Sequence, residues 1–142
     1  MKSKDIAHLW SFEITDAPEI LMDKTMGKMP LPSDFLRNPF TSKIELPIRE
    51  TDTPFEADNK TVINTYDGFG LSSNLFFETS KGLSDAALQS GGIRLYELKD
   101  GGAREIEIEV EGRRDNTFIL IKPVGQILEP ETVHVVAVTH QI

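Results

Sequence analysis

From Glu105 to Glu111 the chain alternates without a break: Glu105, Glu107, Glu109 and Glu111 are separated by Ile106, Ile108 and Val110. In an extended chain successive side chains point to opposite faces. The segment therefore reads as one half-buried strand with an acidic outer face. Its surroundings carry the same signature. Ile93 to Leu98 is a strand, closed by the hairpin signal Asp100-Gly101-Gly102. Phe118-Ile119-Leu120-Ile121 is apolar on both faces, as a central sandwich strand should be, and Pro123 ends it. Thr132 to Thr139 is a further valine-rich strand. Short strands between turn residues, without long helical patterns, predict an all-β chain built as a sandwich.

Upstream the pattern is less regular. Asn74 to Glu78 reads as a short strand and Thr61 to Tyr66 is β-prone. Ser84 to Gln89 reads as one helical turn, with Ser84 as N-cap and Gly91 ending it. Arg49 to Lys60 reads as a charged loop, and Ala17 to Lys24 as a helical turn. Ile6, His8, Trp10, Phe12 and Ile14 alternate like a strand. Pro30, Pro32 and Pro39 exclude a central strand between Met26 and Pro39. The expected organisation is an N-terminal strand and proline-rich arm over residues 1–60, packed on a sandwich over residues 61–142. Trp10, Phe118, Leu120, Val136 and Val138 are the expected core.

The 142 residues suit one domain. With no cysteine, disulfides, thiolate metal sites and a cysteine nucleophile are excluded. A net charge of −8 argues against nucleic acid and against anionic membranes, since both attract basic surfaces. No stretch approaches the run of about 18 apolar residues that a membrane span needs.

Thr117 to Pro123, followed by Leu128-Glu129-Pro130-Glu131-Thr132 and the valine-rich strand, resembles the end of a bacterial immunoglobulin-like domain. Leu31-Pro32-Ser33-Asp34-Phe35-Leu36 and Tyr66-Asp67-Gly68-Phe69-Gly70 extend the likeness. Together, over roughly Leu31 to Thr139, they resemble the N-terminal domain of bacterial virulence-factor lipases and related exported hydrolases. The resemblance implies an immunoglobulin-like sandwich with an N-terminal arm and one short helical turn. It also implies a non-catalytic accessory role, an extracellular or envelope location, and a partner that is either a following hydrolase domain or another protein. The last strand runs almost to Ile142, which with the resemblance predicts a polypeptide continuing beyond this residue. A free-standing adhesion module and a small carboxylate-based hydrolase are the alternatives.

The candidate chemistry is sparse. Gly70-Leu71-Ser72-Ser73-Asn74 lacks the final glycine and the helix of a nucleophile elbow. His134 and His140, six residues apart on a strand, would stand roughly 20 Å apart and could not share a metal; His134 reads as structural. Neighbouring ladder glutamates stand roughly 6.6–6.8 Å apart. Outward charge on a strand discourages edge pairing, which accounts for them more simply than calcium or glycosidase chemistry does. No catalytic, metal or cofactor residue is expected. Asp67, Gly68 and Phe69 are the one candidate partner-binding loop, the plainer reading being a turn with Phe69 packed beneath it.

Overall fold

A computed structural model describes residues 17–125 and 127–139. The expected N-terminal strand, with His8 and Trp10, and also His140, lie outside the described residues. The elements are α1 (Pro54–Ile63), β1 (Leu75–Glu78), α2 (Asp85–Leu88), β2 (Ile93–Lys99), β3 (Gly102–Ile106), β4 (Ile108–Arg113), β5 (Phe118–Pro123) and β6 (Val133–Val138). The strands form two antiparallel three-stranded sheets, ordered β1-β5-β4 and β3-β2-β6. The chain is mostly β, as expected.

One correction concerns the glutamate ladder. It is two strands, not one: β3 ends at Ile106 in one sheet and β4 begins at Ile108 in the other. Glu107 is the crossing residue, and its carbonyl accepts the Val124 N–H at 2.9 Å. The hydrophobic alternation runs through the crossing undisturbed because both sheets face one interior. Ile106 is buried there, with Ile108 and Val110 packed against the same cluster.

That cluster comprises Leu75 and Phe77 of β1, Leu83, Ile93 and Leu95 of β2, Ile106, Ile119 and Ile121 of β5, and Leu128. Val136 and Val138 pack against it half-buried. Of the two expected core positions on β5, Leu120 is buried and Phe118 only half-buried, and the main cluster takes the alternate phase. Ile119 and Ile121 face the interior. Leu120 is buried outside this cluster, and Phe118 is half-buried, stacked on Phe76 at 4.8 Å. With both faces apolar, period two alone could not choose between them.

Three local readings hold. Ser84 caps α2, its hydroxyl accepting the Ala87 N–H; Gly91 follows at φ +75°; and Asp100-Gly101 turns β2 into β3 with both φ values positive. Two fail. Thr61 to Tyr66 is no strand, and Arg49 to Lys60 is not all loop, because α1 spans Pro54–Ile63, across the expected boundary at residue 60. Its start is set by a capping box. The Thr53 hydroxyl accepts the Glu56 N–H at 3.3 Å, and the Glu56 carboxylate accepts the Thr53 N–H at 2.8 Å. Ala17 to Lys24 likewise forms no helical turn: Ile20 bridges Thr79, and Asp23 bridges Lys28 across a tight turn.

The arm then runs along β1, where Leu31 bridges Phe76. No described helix is long and apolar enough to cross a membrane.

Candidate functional site

Three places bring chemistry-bearing residues together. The first is the expected loop. Asp67 is exposed, whereas Gly68 and Phe69 are half-buried. The surrounding segment carries exposed Tyr66 and Leu71. It is fastened to the loop after β5, since the Leu128 N–H donates to the Leu71 carbonyl at 3.1 Å. Leu128 anchors in the core while its neighbour Ile127 is exposed. Ser72 is exposed, in a turn.

The second is a row across the inner face of β3-β2-β6. Glu97 occupies the inward phase of β2 after Ile93 and Leu95, and its side chain is only 5% exposed. Arg104 stands opposite on β3 and His134 opposite on β6. The Arg104 guanidinium donates to both carboxylate oxygens, at 3.2 and 3.1 Å. That hydrogen bond, above all, holds the Glu97 carboxyl below its ordinary value of 4.5, against the opposing effect of burial. His134 Nε2 lies 3.7 Å from Glu97 Oε2 and is buried without a hydrogen-bond partner. The row is built to bury a carboxylate as an anion. A general acid needs the opposite shift, so Glu97 is poorly suited to that work. Glu97 itself escaped the reading of the sequence, although a carboxylate in the inward phase of an apolar strand was a signal.

The third place is an open groove of about 560 Å³ at the sheet crossing, walled by Leu88, Ile93, Arg94, Glu105 and Val110. Arg94 and Glu105 approach to 3.9 Å across it. The ladder glutamates do not converge. Glu105, Glu107 and Glu109 are exposed, while Glu111 is half-buried and paired with Arg113 and Lys122. Among the described residues no group of three or more His, Cys, Asp or Glu could hold a metal ion.

What stands out is where apolar surface meets solvent. Of the thirteen large hydrophobic residues exposed in the described chain, nine precede β1: Met22, Met26, Phe35, Phe40, Ile48, Phe55, Val62, Tyr66 and Leu71. Helix α1 buries no residue at all, and Phe55 and Val62 stand two turns apart on one face of it. No family model, curated protein or solved structure matches the chain.

Proposed function

We propose that this chain is an immunoglobulin-like, non-catalytic accessory domain of an exported hydrolase, and that it holds a protein surface with the side formed by its arm, α1 and the Asp67-Gly68-Phe69 loop. The observation that carries the binding role is the concentration of exposed apolar side chains before β1. Contiguous apolar surface is costly in water and marks places where proteins meet. The sheet order supports the fold assignment. Immunoglobulin sandwiches place their second, fifth and fourth strands in one sheet and cross to the other for the third and sixth. Strands β1, β5 and β4 match the first set, and β2 and β6 the second, with β3 as the extra strand beside β2. The resemblance of the segments around Leu31, Asp67 and Leu128 supplies the hydrolase.

Two measurements test this reading. The chain alone should turn over no short-chain ester, and turnover abolished by Ser72→Ala would overturn the non-catalytic role. A photo-reactive side chain at Phe55 should cross-link to the hydrolase domain, while one at Glu109 should not. The reverse pattern would overturn the proposed face.

A further inference from the structure

The ribbon from Leu36 to Glu45 joins a buried base to an exposed tip. At the base, Leu36 and Ile44 are 2% and 3% exposed. Arg37 bridges Ile44 there, and the Glu45 N–H donates to the Leu36 carbonyl at 2.6 Å. At the tip, Phe40 is 94% exposed, more than any other large hydrophobic among the described residues. Hydrogen bonds hold this tip in shape. The Asn38 side chain accepts the N–H groups of Phe40 and Thr41 at 2.9 and 3.1 Å, and the Asn38 carbonyl accepts the Ser42 N–H at 2.8 Å. A ring carried on a fixed backbone loses little freedom on binding, which suits an anchor side chain.

The charge of the tip departs from that of the molecule. Arg37 to Lys43 includes two cations and no anion, in a chain of net charge −8. Arg37 pairs with Asp34 at 3.5 Å. Lys43 is exposed and has no ion-pair partner among the described residues.

The groove at the sheet crossing has the complementary character. Its wall is apolar and incompletely covered, with Leu88, Ile108 and Val110 half-buried. Its rim carries Glu105, paired with Arg94, and Glu107, which is exposed and has no ion-pair partner among the described residues. Its volume of about 560 Å³ falls within the range of roughly 300–1,000 Å³ that ligand sites span, so a phenylalanine ring fits.

From this we infer that Phe40 of one copy of this chain enters the crossing groove of a second copy, with Lys43 set against Glu107. The contact joins two different surfaces. Each copy offers one ribbon and one groove, so copies add head to tail, and close into a ring where the rotation allows. The inference needs neither the accessory role nor a hydrolase partner.

A contact centred on one aromatic side chain belongs to the weak, transient class, so the association is sought at high concentration. Sedimentation velocity at up to about 1 mM should show species larger than one chain. Phe40→Ser should weaken the association about tenfold or more. Val133→Ser, which removes another exposed apolar side chain, should leave it unchanged. Gln89→Lys combined with Glu107→Lys turns the groove rim positive against Lys43 and should weaken it as Phe40→Ser does. The decisive sample mixes the Phe40→Ser chain with the doubly substituted one. The first keeps a groove and the second keeps a ribbon, so the mixture should form a one-to-one dimer that grows no further. Circular dichroism confirms that every variant folds. A wild-type chain that stays monomeric at about 1 mM overturns the inference. So does association indifferent to Phe40→Ser, or equally sensitive to Val133→Ser. A mixture that stays monomeric overturns it as well.

Discussion

The region before β1 and the sandwich from β1 onward are held together by different physics. The sandwich owns the continuous apolar cluster from Leu75 to Leu128, to which the arm adds Ile20 at its margin. The arm buries Leu36 and Ile44 apart from that cluster. Otherwise it relies on short-range polar contacts. The Asp52 carboxylate accepts the Arg49 N–H at 2.8 Å and a Lys60 ammonium bond at 2.6 Å, and the first of these does most to lower its pKa. The Asn64 side chain accepts the Leu46 N–H and donates to the Leu46 carbonyl, at 2.7 and 3.0 Å. Such bonds shape a segment without demanding that its apolar side chains turn inward. The arm thus keeps a defined backbone while leaving Phe55 and Val62 in solvent, which a core-driven element could not do.

The sharpest way to break this comparison is to empty the same volume in each region. Leu95 and Leu36 are both fully buried. Leu95→Ala should cost about 2–5 kcal/mol of global stability, the usual range for a buried leucine. Leu36→Ala should instead open the arm to proteolysis between Met22 and Ile48 while the sandwich melts nearly as before. Equal losses of global stability, read from denaturant melts, would mean that the arm and sandwich share one cooperative unit.

A smaller effect probes the arm's polar fastening. Thr53→Ala removes the hydroxyl half of the capping box and should cost α1 about 1 kcal/mol. Because α1 buries nothing, the loss should appear as faster amide exchange in the helix and hardly move the sandwich midpoint. A global shift of the full amount would couple α1 to the core.

The smallest effect belongs to the sandwich surface. Arg113 first, then Lys122, hold the Glu111 carboxyl at about 2 instead of 4.5. A carboxyl lowered by folding stabilises the native state above its unfolded pKa, and that contribution disappears as pH falls through the folded value. Wild type should therefore lose stability between about pH 4.5 and 2 more steeply than Glu111→Gln does. The exposed pair gives the difference a modest size. Identical acid slopes would remove Glu111 from the account.

The same division explains what could be read in advance. Strands β2, β5 and β6 were legible because their side chains answer to the interior, and alternation records that. Helix α1 was not: Thr61, Val62 and Ile63 are β-branched, favouring strand on intrinsic grounds, and no apolar stripe faces a core. Its one clear mark, Thr53-Pro54-Phe55-Glu56, is a capping signature easily lost in a charged stretch. The ladder was read correctly in phase and incorrectly in partnership, because side-chain period reports which face is buried and says nothing of which sheet supplies the neighbours. For the candidate site, Phe69 is half-buried beside an exposed Asp67. The apolar surface beside it was invisible, since exposure of Phe55 or Met26 is decided by what the rest of the chain fails to cover.

The crossing at Glu107 gives the sandwich a spine. On that side the two sheets are successive lengths of one strand, and they cannot part without breaking the chain's own course. On the opposite side, β1 and β6 belong to different leaves, and among the described residues no strand runs directly from one to the other. The molecule is bound like a book, with Val136 and Val138 half-buried at its fore-edge. Among the described residues the leaves are joined by backbone at Glu107 and at β6 by the side-chain packing of Val136 and Val138.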